Sequence, residues 1–457
     1  MREILVQIFV GYIVLLHLLI SCSTTEKEKD KRTDILEEKD KRTDIFRTQG
    51  MFILTPDDEK ILLRGVNISH TAKFSYAPWV GEEEIRVLAE RFGLNFVRLT
   101  IFWKNIEPER GRYDIQYIEK IRQVIRWCEK HSVYVMLDMH QDLFGFQAHG
   151  EGSGMPEWAR DNECPSFKNL SPWFVNYLDD SISCQFDSFW KNKNSVLSDF
   201  IKAWVLVVKE LGQEKAVIGF DVINEPWPGS YWKDDESRKY WEQNILTKFY
   251  NQIIKEIRKY SEKIIFYETH PLSDFGAPVN ILKPEGENLA YAPHIYTITG
   301  TVGQAGTSWK QEIDLTFSNH YTHAQKYNVP IVIGEYGIGY EHPLAAEISR
   351  YFIDKFDENF VGSAIWSFDK APYYDLATLD EYLNPLTNFA PVIRPYPEKV
   401  KGEILEIDYD KDKLKIKARG DYIIFSCPQI KPCFGEKIGK VKFELDRNNP
   451  IDVEIRF

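Results

Sequence analysis

From about residue 50 to residue 370 the chain alternates between β-branched apolar runs, polar loops and segments of helical period. The apolar runs are Leu62 to Ile68, Asn95 to Phe102, Tyr134 to His140, Val217 to Asn224, Lys263 to Thr269, Leu289 to Tyr296, Ile331 to Tyr336 and Ser363 to Phe368. Each has the length and composition of a buried strand. Between them, apolar residues recur with a period near 3.6 over Glu82 to Phe92, Ile115 to His131, Val196 to Leu211, Ser237 to Tyr260, Lys310 to Tyr327 and Leu344 to Phe356. Eight strands separated by helices predict an α/β chain with a parallel (β/α)8 barrel, whose chemistry sits at the C-terminal ends of the strands.

The polar residues at those ends fit this expectation. They are Asn67, Arg98, His140 with Gln141 and Asp142, Asn224 with Glu225, His294 with Tyr296, Glu335, and Trp366. Glu225 ends the run Val222-Ile223-Asn224-Glu225-Pro226 and Glu335 sits in Ile333-Gly334-Glu335-Tyr336-Gly337. Singly, either would be an ordinary capping or salt-bridge residue, and Arg98 a buried ion-pair partner. Two carboxylates on one rim suit cleavage of a sugar bond, in which one protonates the leaving oxygen and the other attacks the anomeric carbon. That division of labour requires Glu225 to hold a proton near neutral pH and Glu335 to be ionised. Arg98 is placed to supply a positive charge to Glu335 and Tyr296 a hydrogen bond. Acid, base and nucleophile are then all side chains, so no cofactor is expected, and no Cys or His spacing reads as a metal site.

The connection from Gln141 to about Asn194 exceeds the usual loop length and holds Trp158, Trp173 and Trp190. Loops of this size are mostly functional, and this one is expected to wall the cleft. Thr297 to Thr307, with three glycines, is either a lid or a surface loop. Beyond residue 390 the helical pattern stops. Glu403 to Tyr409, Lys413 to Ala418, Asp421 to Cys427, Lys440 to Leu445 and Ile451 to Phe457 predict a small C-terminal antiparallel β-sandwich.

The beginning of the chain has a different character. Ile4 to Ile20 is an apolar segment ending in Leu19-Ile20-Ser21-Cys22, similar to the lipobox of bacterial lipoproteins, with Cys22 as the lipidated residue. A conventional cleaved signal or an uncleaved anchor are the alternatives. Residues 23–50 follow as a polar linker in which Lys-Asp-Lys-Arg-Thr-Asp-Ile occurs twice; it is either a spacer or a short solvated helix. The expected organisation is therefore a leader at 1–22, a linker at 23–50, a barrel at 51–389 and a β-sandwich at 390–457. The protein is expected to be exported, lipid-anchored to a bacterial membrane or otherwise secreted.

Composition narrows the partners. With 457 residues, 43% of them hydrophobic, the chain can bury a large core. The net charge is −12, and residues 51–389 carry about −14 of charge, because residues 23–50 balance and residues 390–457 carry 14 basic against 12 acidic groups. An acidic barrel without a basic patch excludes nucleic acid and electrostatic docking on anionic lipid. Of six cysteines, Cys164 and Cys184 flank one loop and Cys427 and Cys433 bracket a turn, which suits two local disulfides in an exported protein; Cys128 falls on a helical pattern and is expected to be buried.

The motifs resemble glycoside hydrolase family five of clan A, and within it the endoglycoceramidases. Arg64-Gly65-Val66-Asn67, Asn95-Phe96-Val97-Arg98, Asn224-Glu225-Pro226, His294-Ile295-Tyr296, Gly334-Glu335-Tyr336-Gly337 and Trp366 carry the clan likeness. Asp138-Met139-His140-Gln141-Asp142-Leu143-Phe144, Met155-Pro156-Glu157-Trp158-Ala159, Phe189-Trp190 and Arg394-Pro395-Tyr396-Pro397 carry the finer one. The resemblance implies a TIM barrel and hydrolysis of the β-glycosidic bond between oligosaccharide and ceramide in glycosphingolipids. It implies Glu335 as nucleophile, Glu225 as acid/base and Asn224 as donor to the 2-hydroxyl of the reacting sugar. Lys73, Asp142, Trp190 and Trp366 would hold that sugar, with His140, His294 and Tyr296 in the same site. An amphipathic substrate also needs an apolar route and a peripheral or lipid-anchored contact with a membrane; Phe144, Phe146 and Trp309 either line that route or are core residues under their loops. The alternatives are a family-five glucanase or mannanase, a hydrolase of other lipid glycosides, and a non-catalytic glycan-binding lipoprotein.

Overall fold

The computed structural model describes residues 45–298, 308–410 and 412–457. The expected leader with Cys22, nearly all of the linker and most of the Thr297 to Thr307 segment lie outside the described residues.

The described chain opens with three short strands, β1 (Arg47–Gln49), β2 (Phe52–Leu54) and β3 (Lys60–Ile61), which pair antiparallel in succession. The barrel follows: β4 (Arg64–Ile68), β5 (Phe96–Ile101), β6 (Tyr134–Met139), β7 (Val217–Asp221), β8 (Ile264–Tyr267), β9 (Leu289–Tyr291), β10 (His294–Ile295), β11 (Val332–Tyr336) and β12 (Gly362–Ile365). Parallel pairing runs β10-β11-β12-β4-β5-β6-β7-β8-β9. Its two ends, β9 and β10, are successive pieces of the one apolar run 289–296, and a bridge from Tyr291 to Ile331 joins β9 to the chain entering β11. The eight expected strands thus form a (β/α)8 barrel.

Alternation along each strand explains what the barrel contains. Val97, Leu99 and Ile101 point outward to the helices, as do Val135, Leu137 and Met139 of β6 and Ile265 and Tyr267 of β8. The opposite parity fills the lower interior with Phe96, Met136, Ile218, Ile264, Phe266, Val332 and Ala364. Phe46, Ile53, Ile61 and Leu63 pack against that plug, so the N-terminal strands close the barrel floor. Two residues beyond Phe96, Met136 and Phe266 come Arg98, Asp138 and Glu268, and a register shift in the β6–β7 pairing brings Asp221 opposite Asp138; all four are buried. The barrel is therefore apolar below and charged above.

The helices match their periodicity, with one addition. Within the long connection a helix spans Asp180–Trp190, capped by the Asp179 carboxylate accepting from the Ser181 amide at 2.8 Å. A disulfide joins Cys184 in this helix to Cys164; Cys427 and Cys433 form a second, and Cys128 is free and buried. Phe144 and Trp309 are core residues, against Phe186 and Tyr351 respectively, whereas half-buried Phe146 lies under the Arg160 guanidinium.

The C-terminal segment is observed as one antiparallel sheet. Two fifteen-residue strands, β13 (Tyr396–Asp410) and β14 (Lys413–Cys427), pair along their length, and β13 extends the sheet to β3. On the far side of β14, β15 (Gly439–Glu444) pairs with its second half and β16 (Ile451–Arg456) with its first. The two runs expected as separate strands, Lys413 to Ala418 and Asp421 to Cys427, are thus halves of one strand. Gly402 and Gly420 face each other at the break, where a Cβ on Gly420 would meet the Gly402 Cα at 2.4 Å. Only glycine lets the two backbones bend together there.

Candidate active site

Arg98 organises the charged upper layer. Its guanidinium is fully buried and contacts Glu335 Oε1 at 2.6 Å, Asp221 Oδ2 at 2.8 Å and Asp138 Oδ1 at 3.1 Å. It also donates to Asn224 Oδ1 at 2.9 Å and Asn67 Oδ1 at 3.1 Å. These five partners around one planar fork tie side chains of β4, β6, β7 and β11, and Asn224 after β7, to β5 at once. The second Glu335 oxygen accepts from the Tyr296 hydroxyl at 2.9 Å, so this carboxylate is held at both oxygens.

Glu225 is presented differently. Its backbone has φ of 43°, a strained conformation for glutamate that is stabilised by the Gln141 side chain, which donates to the carbonyls of Asn224 (2.8 Å) and Glu225 (3.0 Å). Asn224 returns the contact to the Gln141 carbonyl at 3.0 Å, leaving its second amide hydrogen for a ligand. The Glu225 carboxylate bonds His294 Nδ1 at 2.9 Å. Burial, followed by the repulsion of Asp142, pushes its pKa up to about 7. His294 stands directly beside Glu335 in the β10–β11 register, and one ligand atom from each of Glu225, His294 and Glu335 lies within 4.8 Å of the others. Such a trio has donors suited to a cation, but two carboxylates approaching this closely also suit a retaining glycosidase (about 5 to 5.5 Å between carboxyl groups) rather than an inverting one (about 6.5 to 9.5 Å).

A second cluster flanks the pair. Lys73 Nζ lies 2.9 Å from both Asp142 and Glu151, and 4.8 Å from the centroid of Trp366, whose indole stacks on His140 at 5.2 Å. His140 bonds Asp138 at 2.8 Å and lies 3.3 Å from Asp142. Burial disfavours its charged form, yet Asp138 and Asp142 outweigh this and raise its pKa to about 9. The same neighbours, Lys73 and His140, hold Asp142 below the usual carboxylate range against the opposing effect of burial. A wall carrying fixed ammonium, carboxylate and imidazolium groups beside an indole face suits a polyhydroxylated ring.

Trp190 lies behind this surface. Its indole donates to the Trp227 carbonyl at 2.9 Å and packs on Phe189, Trp241 and Phe249. It supports the loop after Glu225 rather than facing the carboxylates.

Several residues of the cluster were not among the site residues expected from the sequence. Asp138 and Asp221 share the inward parity of His140 and Arg98, a signal the alternation contains. Glu268 and Asp274 follow β8, and Glu151 and Tyr374 come from loops; Tyr374 accepts from the Trp366 indole at 2.9 Å and stacks on His70. Tyr177, from the long connection, is buried over Trp227, and burial followed by the nearby charges of Asp142 and Glu225 raises its pKa well above the ordinary value.

The proton on Glu225 sets a pH expectation. Its acid form is the one that donates to a leaving oxygen, so kcat/KM is expected to fall with unit slope as pH rises past about 7, the value to which burial brings this group. A profile flat to pH 9 would remove Glu225 from that role.

Endoglycoceramidase I of Rhodococcus hoagii (strain 103S) is 28% identical over 375 residues, covering 77% of this chain and 72% of its own. The structure of endo-glycoceramidase II from Rhodococcus sp. in complex with ganglioside GM3 superposes with a TM-score of 0.79 at 22% identity, covering 89% of this chain and 99% of that one. The same enzyme is known as a lactosyl-enzyme intermediate, with a TM-score of 0.78 at 22% identity and the same coverage. The family model for cellulase (glycosyl hydrolase family 5) matches residues 54–372, a span containing every barrel strand and both glutamates, and the chain therefore belongs to glycosyl hydrolase family 5.

Proposed function

We propose that this protein is a retaining hydrolase that cleaves the β-glycosidic bond joining oligosaccharide to ceramide in glycosphingolipids. The observation that carries the mechanism is the approach of Glu225 and Glu335 to within 4.8 Å, with their environments distinct. Glu335, gripped by Arg98 and Tyr296, attacks the anomeric carbon. Glu225 protonates the oxygen of the departing ceramide alcohol, and a glycosyl ester forms on Glu335. Glu225, now a carboxylate, takes a proton from water, which attacks the anomeric carbon from the side the alcohol left and displaces the Glu335 carboxylate. The glycan is released with its β configuration retained. Asn224 donates to the 2-hydroxyl of the reacting sugar, and Lys73, Asp142, His140 and Trp366 hold its other hydroxyls and its apolar face.

Two observations support a lipid-linked substrate over a soluble glucan. One is the likeness to endoglycoceramidases in sequence and in fold. The other is the set of exposed apolar side chains on connections leaving the C-terminal ends of the strands: Phe74, Leu178, Phe275, Ile298 (54% exposed) and Tyr373 (82% exposed). Three of them adjoin residues of the site in sequence, namely Lys73, Asp274 and Tyr374. Singly such residues are ordinary, but five on one face form a rim suited to the edge of a lipid layer. The lipobox-like sequence at Cys22 supports export and acylation, and the bend of the C-terminal sheet about Gly402 and Gly420 supports a sandwich-like doubling of that layer.

The test is incubation of the detergent-solubilised protein with a ganglioside and, separately, with a β-glucan oligosaccharide, followed by mass spectrometry. Intact glycan plus free ceramide, lost in Glu335→Gln, is the expected result. Cleavage of the glucan alone would remove the sphingolipid specificity and leave the glycosidase.

A further inference from the structure

Glu268 has no assigned role, yet it sits behind the acid/base pair. It follows the last residue of β8, with its backbone pinned by the Tyr250 hydroxyl at 3.0 Å. Its Oε2 lies 3.8 Å from His294 Nε2, and its Oε1 lies 3.9 Å from Arg98. Both Glu268 Oε1 and His294 Nε2 are buried without a hydrogen-bond partner. The other imidazole nitrogen, Nδ1, is the one bonded to Glu225. The His294 ring lies close over Gly334, where a Cβ would approach Nε2 to 3.0 Å.

We propose that Glu268 is a positioning residue for the acid/base: facing His294 Nε2, it fixes the imidazole tautomer whose Nδ1–H donates to Glu225. The inference rests on Glu225 acting as acid/base. The two nitrogens of a neutral imidazole carry one proton between them, and the partner of one decides the role of the other. An ionised Glu268 would draw the proton to Nε2 and leave Nδ1 as an acceptor. Glu225 would then have to spend its own proton on His294 instead of on the leaving oxygen. A protonated Glu268 does the reverse: it donates to Nε2, the ring proton stays on Nδ1, and the Glu225 proton is free for substrate. The same Nδ1–H also steadies the Glu225 carboxylate after transfer.

The surroundings hold Glu268 in the form this needs. Asp221 of β7, Glu225, Asp274, Arg98, His294 and the Tyr250 hydroxyl all face it. Burial, then the charge of Asp221, drives its pKa well above the ordinary carboxylate value, with Arg98 opposing. Burial likewise keeps His294 neutral, with a pKa lowered to about 3. The gap of 3.8 Å exceeds a hydrogen bond by less than about 1 Å, and catalytic contacts of this kind tighten when substrate binds.

The proposal separates two substitutions that a structural role would not. Glu268→Gln keeps a neutral N–H donor toward Nε2 and is expected to retain kcat/KM on glycosphingolipid within about fivefold, whereas Glu268→Leu is expected to lose roughly 10² or more, the scale of general acid catalysis. On an activated aryl β-glycoside such as the 2,4-dinitrophenyl glycoside of the same glycan, whose leaving group needs no proton, both variants are expected to keep kcat/KM near that of the parent. Long-range 1H–15N spectra of the 15N-histidine-labelled full chain, taken without substrate, report the tautomer directly. The parent and the Gln variant should show His294 protonated at Nδ1. An Nε2–H tautomer in the parent, or a Gln variant as impaired as the Leu variant, overturns the proposal. If Glu225→Ala leaves glycosphingolipid cleavage intact, it is the acid/base reading that fails, whatever the tautomer.

Discussion

Glu335→Gly is expected to lower glycoside hydrolysis by roughly 10⁵-fold or more, the scale on which removal of a nucleophile acts. The cavity left between Arg98 and Tyr296 holds the Glu335 carboxylate in the parent and becomes a seat for a small external anion in the variant. Added azide is therefore expected to restore cleavage of an activated aryl β-glycoside and to yield the α-glycosyl azide, because one displacement replaces two. Glu225→Ala with azide should instead give the β-azide, since Glu335 still forms the ester and azide enters from the face the alcohol left. Product configuration, read by NMR, assigns the two glutamates. Full activity in Glu335→Gly, or a β-azide from it, would exchange or cancel the roles.

The largest effect on stability is expected far from this chemistry, at Asp357. This buried carboxylate pairs with both Arg64 of β4 and Arg394, the latter at 2.8 Å. Arg394 also pairs with Asp354, and the two guanidinium groups lie over the rings of Tyr396 and Tyr409, at 4.2 Å for Arg64 and 3.5 Å for Arg394. The cluster ties the first barrel strand and the last barrel helix to the C-terminal sheet. Asp357→Ala leaves two buried arginines without their shared counter-ion and is expected to cost about 3 to 5 kcal/mol of unfolding free energy. Glu109→Ala removes a solvent-exposed pair with Arg112 and is expected to cost less than about 1 kcal/mol. Urea unfolding of the two variants measures both; equal effects would show that the buried cluster contributes no more than a surface pair.

That cluster shows what a sequence can disclose without explaining. Arg394-Pro395-Tyr396-Pro397 stands out as a motif, but only the fold gives its physical content: a cation and an aromatic ring closing over Asp357. The barrel strands were legible because each is an apolar, β-branched run that ends abruptly in polar residues. The expected division between Lys413 to Ala418 and Asp421 to Cys427 failed at Gly420, where a glycine inside one long strand has the same local signature as a turn between two. Strands β1 to β3 left no signal, being two or three residues long and stable only through pairing with β13 and the barrel floor. In the site, Glu225, Glu335 and Arg98 were legible because motif and strand end coincide. Glu268, Asp274 and Tyr374 were not, since a single polar residue after a strand is commonplace and its meaning lies in neighbours more than a hundred positions away or on another loop. Trp190 shows the converse, a residue in a recognisable motif whose side chain is spent on packing.

The floor of the barrel has a practical meaning for how the enzyme can be handled. Phe46 packs beneath Tyr134, at the pole of the barrel opposite the five apolar rim residues. A support, bead or display protein joined ahead of Phe46 is thus attached at the barrel floor, away from the strand ends that carry Glu225 and Glu335. Particles coated through the N-terminus would bring their catalytic faces outward to glycolipid on an opposing surface, which makes the head of the chain the natural point of immobilisation.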